Sequence, residues 1–461
     1  MKNWRMALLI VFLTLFSMAV VHVAIANSPG GSFLFIHDRT NRYMDWFNTV
    51  VASCSSTSYT ENSNIYTPIL LAIIRGLHRC DGLGDGAFGL RENEDGATFI
   101  TGLGILIVSF ILCRRIAAEI TIFKNRPIVI GALSMAWPPL AFAIDRMNTI
   151  LLAYVFVLLI TFYAARISRN QTDKLIFKKN SLIIVAWDIS IGIVLTSIKP
   201  YLVIPVLAWM LVRRDLRVKW RALEVCLFGA GYYLLNIMPF ELGYYAGTIM
   251  SWLNGFKTFS SLSSGDLSNI WNMNYYSLSL ANQASLLPYP NFNRFLQQDM
   301  LPSSKVALAV YAGYVIQIVL AIYMSYIATM AVLNRRIFHN PRPTNNLSNT
   351  SHNPERAVNT EGYQFARILF LISVFGAFSL FSPSWGLYVG ILWYPIILVG
   401  LCLASKRIYV LTVSCVIASF VLSALPSLVL NAALLPTSFM YAAMAFSSAT
   451  IASTLSPNAP T

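Results

Sequence analysis

Long apolar runs dominate the chain and are separated by shorter polar segments. Most of these runs approach the roughly 20 residues that a helix needs to cross the hydrocarbon core of a bilayer. We therefore expect one integral membrane domain, residues 1–461, an all-α polytopic protein with about 11–13 transmembrane helices. The predicted spans are 6–26, 98–113, 127–144, 149–165, 181–198, 200–212, 222–240, 306–334, 367–382, 386–404 and 408–425, followed by one or two more.

The composition excludes a water-soluble fold. Of the 461 residues, 56% are hydrophobic and 11% are charged, whereas about 25% are charged in an ordinary soluble domain. The formal net charge is +14, which in a soluble protein would indicate a nucleic-acid partner. In a membrane protein an excess of Lys and Arg instead marks the cytoplasmic loops. No nucleic acid is therefore expected as a partner.

The first apolar run has features of both a signal peptide and a membrane anchor. Lys2 and Arg5 precede it, and it ends in Ala24-Ile25-Ala26, which is similar to a signal-peptidase site. The run is longer than the apolar region of about 7–15 residues in a signal peptide. We expect a retained helix, with a cleaved signal peptide as the alternative.

The distribution of positive charge predicts the topology. If the N-terminus is cytoplasmic, alternate loops collect 23 of the 33 Lys and Arg residues, in agreement with the positive-inside rule. This arrangement predicts an inner-membrane protein with two long periplasmic loops, 27–97 and 241–305. The cytoplasmic loop 337–366 is rich in Asn, Pro and Ser and is expected to be disordered. The cytoplasmic loops are too short for a nucleotide-binding domain.

Two of the six cysteines fall in the first predicted periplasmic loop. Cys54 and Cys80 would there meet an oxidising compartment, which favours a disulfide; two free thiols are the alternative. The other four cysteines lie in or beside apolar runs. The chain has no Cys-x-x-Cys or His-x-x-x-His spacing, so a built-in metal site is not expected.

Polar residues gather at the outward ends of the predicted spans, where a site could open between helices. Taken singly, each group also has a simpler interpretation, because turns between helices are usually polar. Asp145 and Arg146 could form a local ion pair, and Lys199 could snorkel to the interface. Asp188 differs, because a carboxylate in the middle of a span is costly, and we expect it to face a cavity or another helix.

Several short polar motifs occur in a fixed order along the chain. They are Tyr-Met-Asp45-Trp-Phe-Asn, Asn64-Ile-Tyr66-Thr-Pro68, Asp145-Arg-Met-Asn148, Ile-Lys199-Pro-Tyr201, Asn282-Gln-Ala-Ser285 and Ser382-Pro-Ser-Trp385-Gly-Leu-Tyr388. Their order resembles that of glycosyltransferase family 87, whose members are polyprenol-phosphate-dependent enzymes of the GT-C membrane class, and the resemblance extends over about residues 38–394.

This chain departs from the family pattern at three places. The family usually has Tyr-Pro-Pro where this chain has Tyr66-Thr67-Pro68, and Gly-Gln where this chain has Arg146-Met147. The family's Asn-Gln-Ser also lacks the Ala284 that this chain inserts.

The resemblance implies a GT-C-like bundle that moves a sugar from a polyprenyl-phosphate donor to a glycan or glycolipid acceptor on the periplasmic face. Such an enzyme inverts the anomeric configuration and needs a carboxylate base and cations near the phosphate, without a cofactor. Asp45 is expected to be the base, with Asp38 as the competing carboxylate. We expect Met44, Trp46 and Phe47 to raise the basicity of Asp45 by desolvating it.

The same resemblance assigns roles to further residues. The donor phosphate is expected to bind Lys199, with Arg146 or Arg294. The residues expected to bind substrate are Tyr66, Asp145, Asn148, Tyr201, Asn282, Gln283, Trp385 and Tyr388.

Two other functions fit parts of the pattern. A polysaccharide polymerase or ligase also works outward from lipid-linked sugars, but its long outer loop usually carries more arginines than 241–305 has. A secondary transporter would show two related halves with ionisable groups at mid-membrane, and the sequence has no such repeat. The oligomeric state, the sugar and the acceptor are not predicted.

Overall fold

The computed structural model describes residues 44–55, 59, 66–77, 80, 86–121, 123, 125–169, 181–212, 218–244, 247–255, 315–324, 326, 387–424 and 434–455. Within these residues the chain is mostly helical and forms no strand. The predicted spans 6–26 and 367–382, most of the loop 241–305 and all of the loop 337–366 lie outside them.

Helices make up nearly all of the described residues, and they occur in the following order along the chain. They are α1 (Met44–Cys54), α2 (Pro68–Leu77), α3 (Gly86–Ile120), α4 (Arg126–Met135), α5 (Pro138–Arg146), α6 (Ile150–Arg169), α7 (Ser181–Ile198), α8 (Val203–Val212), α9 (Val218–Asn236), α10 (Met238–Glu241), α11 (249–255), α12 (Val315–Met324), α13 (Tyr394–Leu403), α14 (Lys406–Ala424) and α15 (Leu434–Leu455). Two 3₁₀ helices, Pro200–Leu202 and Leu387–Trp393, precede α8 and α13.

Two of the described helices are long and apolar enough to cross a membrane, over Ile100–Ile120 in α3 and Lys406–Ser423 in α14. A third span results if α4 and α5 are counted together across a bend of 46°. The described part of the chain thus has the character of an all-α membrane protein. The number of about 11–13 spans stays a prediction.

The bend between α4 and α5 changes one predicted span. The run 127–144 was expected to be a single helix, but α4 ends at Met135 and α5 begins at Pro138. Pro138 and Pro139 lack the backbone N–H groups that would continue the helical hydrogen bonds, so a break at this point is expected on physical grounds.

One side of α3 is apolar and exposed. Ile100, Leu103 and Ile107 are 69%, 47% and 49% exposed, whereas Ile116 and Ala117 further along the helix are fully buried. An exposed row of large apolar side chains is unfavourable in water and suits contact with lipid.

The main core joins α4, α6, α13 and the 3₁₀ helix before α13 through buried aromatic residues that also form hydrogen bonds. Trp137 Nε1 donates to the carbonyl of Gly390 at 2.9 Å, and the hydroxyl of Tyr394 donates to the carbonyl of Ile130 at 2.6 Å. The hydroxyl of Tyr154 lies 2.8 Å from Ser109 Oγ. These bonds fix the register of the helices against which the outer residues pack.

Arg126 is part of this core. It directly precedes the predicted span 127–144, and in the structure it begins α4 and is only 8% exposed. Its Nη1 donates to the carbonyls of Leu401 at 3.1 Å and Ala404 at 2.7 Å, and its guanidinium lies 4.5 Å from the ring centroid of Tyr409. The cation therefore satisfies carbonyl groups at the C-terminal end of α13, where the helix dipole favours positive charge.

The segments before α3 are held together by a disulfide and by apolar packing. Cys54, at the end of α1, is joined to Cys80 by a disulfide, with the two Cα atoms 5.5 Å apart, which is the pairing predicted from the sequence. The buried side chain of Val50 packs with Leu70 and Ile74 of α2. The disulfide and this packing together hold α1 beside α2.

The two predicted periplasmic loops contact each other. The ring centroids of Tyr59 and Phe240 are 4.8 Å apart, and Phe240 lies 6.1 Å from Trp252. Gly247 has a φ of +124°, and a Cβ atom at this position would lie only 2.9 Å from Tyr59 Cβ. A glycine is therefore required for this close approach.

Candidate functional site

Asp45 is held by two residues of the turn between α5 and α6. Its Oδ1 accepts hydrogen bonds from Arg146 Nε at 3.1 Å and from Arg146 Nη2 at 2.5 Å. Its Oδ2 accepts a hydrogen bond from Asn148 Nδ2 at 2.6 Å. Both carboxylate oxygens are therefore engaged by residues about a hundred positions away in the sequence.

The turn that presents these two donors has an unusual backbone. Met147, between them, has φ 48° and ψ 47°, and it is the only non-glycine residue with positive φ in the described part of the chain. The N–H groups of Met147 and Asn148 bond to the carbonyls of Ile144 and Ala143, both at 2.9 Å, which is a Schellman motif. Glycine is usual at this position, so a methionine here stores local strain of the kind found at functional sites.

Asn148 is fixed on its other side as well. Its Oδ1 accepts a hydrogen bond from the backbone N–H of Ile150 at 3.0 Å, at the beginning of α6. Asn148 is 4% exposed. Its amide group thus links the first turn of α6 to the carboxylate of Asp45.

Lys199 lies at the corner between α7 and the following 3₁₀ helix. Pro200 begins the next helix, so Lys199 has an extended backbone with φ −137° and ψ 107°. The side chain is 5% exposed, and Nζ lies 5.7 Å from the ring centroid of Tyr66. This burial differs from the solvated ammonium group expected of a snorkelling lysine.

Tyr66 and Thr67 connect the corner at Lys199 to α1. The Tyr66 hydroxyl donates to the backbone carbonyl of Asp45 at 3.4 Å, and the Tyr59 hydroxyl donates to the carbonyl of Tyr66 at 3.0 Å. The Thr67 hydroxyl donates to the carbonyl of Ser197, two residues before Lys199. The start of α2 thereby ties the first acidic residue of α1 to the end of α7.

The charges around Asp45 determine its protonation. Burial favours the neutral acid, but the guanidinium and hydrogen bonds of Arg146, the hydrogen bond of Asn148 and the charge of Lys199 together hold the pKa of Asp45 below its usual value. The sequence had predicted the opposite direction, from desolvation by Met44, Trp46 and Phe47. That prediction is wrong in sign because the nearby cations outweigh the apolar neighbours.

The pKa of Lys199 is also lowered, which for a lysine favours the neutral form. Burial lowers its pKa to about 8, although the negative charge of Asp45 works against this change. The pKa of Tyr66 is raised, chiefly by burial and then by Asp45, so its hydroxyl stays a hydrogen-bond donor. The site therefore contains an ionised acid, a permanent cation and a lysine that changes charge near pH 8.

The predicted site residues fall into three groups. Asp45, Tyr66, Arg146, Asn148 and Lys199 come together in one place. The chain is described for Asp145, Tyr201 and Tyr388 as parts of α5 and the two 3₁₀ helices, but not their side chains. The residues outside the described part are Asp38, Asn282, Gln283, Arg294 and Trp385.

Arg146 forms an ion pair with a residue that is distant in the sequence. A local ion pair with the adjacent Asp145 was one possibility from the sequence, and the structure pairs Arg146 with Asp45. Such a pair, with side chains 28% and 13% exposed, is less screened by solvent than one at an open turn.

Other polar residues near the site were missed from the sequence. Thr67 appeared only as a departure from a family motif, and nothing signalled its bond to α7. The hydroxyls of Thr149 and Ser197 are buried without a hydrogen-bond partner, and each lies one or two positions from a residue of the site. Buried orphan hydroxyls are uncommon and often mark places where a ligand or water binds.

Acidic residues are also buried away from the site. Asp188 in α7 is 8% exposed, in agreement with its predicted inward orientation, and Glu224 in α9 is fully buried. Glu224 was not singled out from the sequence, although it interrupts an apolar helix. Within the described residues, no group of three or more His, Cys, Asp and Glu side chains could hold a metal ion.

Comparisons with known proteins identify no relative of this chain. No protein-family model matches the chain, and no curated protein or solved structure matches it either. The resemblance to glycosyltransferase family 87 therefore depends on the short motifs quoted above.

Proposed function

We propose that the chain is a membrane glycosyltransferase that moves a sugar from a polyprenyl-phosphate donor to a hydroxyl group of a glycan or glycolipid acceptor. The proposal includes a GT-C-like bundle of about 11–13 spans in the inner membrane, a cytoplasmic N-terminus and a periplasmic site. The observation that carries it is the meeting of Asp45 with Arg146 and Lys199 at the ends of helices.

An acid and two cations are the groups needed to transfer a sugar with polyprenyl phosphate as the leaving group. The acceptor oxygen attacks the anomeric carbon, the bond from that carbon to the phosphate oxygen breaks, and polyprenyl phosphate leaves with the bonding electrons. Asp45 takes the proton of the attacking hydroxyl group as a general base. The cations of Arg146 and Lys199 stabilise the charge that develops on the phosphate. The configuration at the anomeric carbon is inverted, because the displacement is direct.

The position of these groups also supports a lipid-linked donor. Lys199 and Asp45 are nearly buried and lie at helix ends rather than in a separate water-soluble domain. A donor whose sugar is carried on a membrane lipid needs no nucleotide-binding domain. Tyr66 contacts both the Asp45 segment and Lys199, and its ring offers the kind of apolar surface against which a sugar packs.

The test is transfer by the full-length protein in nanodiscs. Polyprenyl-phosphate hexoses and pentoses are offered in turn with a lipid extract of the cell envelope as acceptor, and release of polyprenyl phosphate is measured. At least one donor should be consumed by the wild type, and Lys199→Ala should lower the rate greatly. Asp188→Asn is the matched control at a buried charge outside the site. Equal rates for wild type and Lys199→Ala would exclude the proposed phosphate site.

A secondary transporter is a second candidate because Asp188 and Glu224 are buried in α7 and α9. Ionisable residues inside membrane helices often mark an ion pathway. The discriminating observation is chemical. A transporter moves its substrate unchanged across sealed vesicles, whereas the proposed enzyme breaks the bond between sugar and phosphate.

A further inference from the structure

The carboxylate that the proposed reaction requires is a poor base in its resting arrangement. Three hydrogen bonds reach Asp45, two from Arg146 to Oδ1 and one from Asn148 to Oδ2. A carboxylate has about four acceptor positions, so most of them are occupied. The same contacts stabilise the ionised form and weaken its affinity for a proton. Before it can accept a proton efficiently, Asp45 has to lose at least one of these partners.

The two partners differ in how easily they can leave. Asn148 is almost fully buried and is also bonded to the backbone of Ile150, so it is held on both sides. Arg146 is 28% exposed, more than twice as much as the 13% of Asp45. Arg146 is therefore the more solvent-accessible of the two partners.

Arg146 is also the partner that can bind a phosphate in place of the carboxylate of Asp45. A guanidinium group binds phosphate oxygens in the same two-pronged manner in which it binds a carboxylate. Lys199, the second cation of the site, interacts electrostatically with the same Asp45. A phosphate arriving near Lys199 would thus compete with Asp45 for Arg146.

We propose that the phosphate of the donor draws Arg146 away from Asp45, so that the carboxylate becomes an effective base only when the donor is bound. This inference depends on the proposed function. In this exchange no covalent bond forms or breaks; Arg146 replaces carboxylate contacts with phosphate contacts, while Asn148 keeps the carboxylate in place. The acceptor proton then passes to Asp45 during transfer and to water after polyprenyl phosphate has left, and Arg146 returns.

The arrangement has a functional consequence. Without donor, the ion pair keeps Asp45 from activating water or an acceptor. Deprotonation of the acceptor is therefore coupled to binding of the donor. The strained turn at Met147 contributes by presenting the exchangeable Arg146 and the fixed Asn148 on either side of one residue.

The test measures binding of polyprenyl phosphate, without a sugar, to the full-length protein in nanodiscs. Asp45→Asn removes the competitor for Arg146 and should tighten binding about 10-fold, within the usual range of coupling between contacting residues. In an Arg146→Gln background, the same Asp45→Asn substitution should have a much smaller effect. That double-mutant cycle separates release of Arg146 from the general repulsion between Asp45 and phosphate. Asp188→Asn, the same chemical change at another buried acid, should bind like the wild type.

A second measurement avoids substitution of Arg146. Infrared difference spectra of the wild type, recorded on addition of polyprenyl phosphate, should show a shift of a carboxylate band that is absent in Asp45→Asn. Unchanged affinity in Asp45→Asn, an equal gain with and without Arg146, or no band shift would overturn the inference and leave the proposed function standing. Absence of polyprenyl-phosphate binding to the wild type would instead overturn the proposed function.

Discussion

Arg146 contacts Asp45 Oδ1 through two nitrogen atoms, at 2.5 and 3.1 Å, although the two residues are 101 positions apart in the sequence. This ion pair connects the first turn of α1 to the end of α5. It places an acid and a cation of the site in contact, and it explains why the pKa of Asp45 is lowered despite burial.

The protonation of Lys199 should set the alkaline limit of activity. Burial lowers the pKa of Lys199 from 10.5 to about 8, so the cation needed for phosphate is present below pH 8 and lost above it. Transfer should therefore decline as the pH rises through about 8, while the low pKa of Asp45 keeps that residue ionised across the neutral range. The rate of transfer as a function of pH gives the measurement.

Lys199→Arg is the matched variant for this limit, because arginine stays charged. Whatever activity it retains should show no decline near pH 8. A decline in transfer near pH 8 that persists in Lys199→Arg would show that another group causes the decline.

The lowered pKa of Lys199 also affects folding. Since the unfolded chain binds more protons than the folded protein between about pH 8 and 10.5, the free energy of unfolding should rise with pH in that window.

Thr67 should be a positioning residue for Lys199. Thr67→Val removes the hydroxyl that donates to the carbonyl of Ser197 but keeps the shape of the side chain. Leaving that buried carbonyl unsatisfied should lower the free energy of unfolding by about 1–3 kcal/mol, and should raise KM for the donor because Lys199 loses its support. Denaturant unfolding and steady-state kinetics measure the two effects.

Thr161→Val is the control for Thr67, since the Thr161 hydroxyl donates to Val157 within the same helix at 2.7 Å. It should alter stability only slightly and leave KM unchanged. If both substitutions change KM equally, the effect of Thr67 does not act through α7.

Loss of the disulfide should destabilise the segment that carries the site. Cys54 and Cys80 are separated by 26 positions, and a closed loop of that length contributes about 3 kcal/mol by the chain-entropy estimate. Cys54→Ser should lower the stability of the protein under oxidising conditions by that order. Cys226→Ser, at an exposed free cysteine, is the control. Alkylation of both Cys54 and Cys80 without prior reduction would show that the bond is not formed.

The orientation in the membrane is testable independently of chemistry. The charge distribution predicts that the segment after Lys179 is cytoplasmic and that the segment after Ser261 is periplasmic. Reporter fusions at these two positions should give opposite signals. The same signal from both would contradict the topology and place the site on a different face from the one proposed.

The sequence predicted much of the membership of the site but not its internal contacts. Asp45, Arg146, Asn148 and Lys199 were recognised because polar residues at the ends of apolar helices are conspicuous. Their pairing depends on how α1 packs against the turn between α5 and α6, which no local pattern encodes. Sequence neighbours were also a poor guide to environment, because consecutive residues of a helix point in different directions. Phe47 is buried in the core, whereas Asp45 points to the cations.

The helical class of the fold was predictable from the sequence, but several local contacts were not. Apolar length predicted the helical class, and two prolines explain the bend that divides the span 127–144. The contacts of Arg126 with carbonyl groups at the end of α13 carried no sequence signal, because the two segments are 278 positions apart. The left-handed backbone of Met147 carried no sequence signal, because methionine has no preference for that conformation.

The most direct test of the account compares single-turnover transfer by Asp45→Asn and Asp38→Asn with a bound polyprenyl-phosphate sugar. Loss of a general base typically costs about 100- to 10,000-fold in rate. Asp45→Asn should therefore bind the donor but transfer its sugar at least about 100-fold more slowly than the wild type, whereas Asp38→Asn should keep most of the rate. If Asp38→Asn is the slower variant, or if Asp45→Asn transfers at the rate of the wild type, Asp45 is not the base and the account is contradicted.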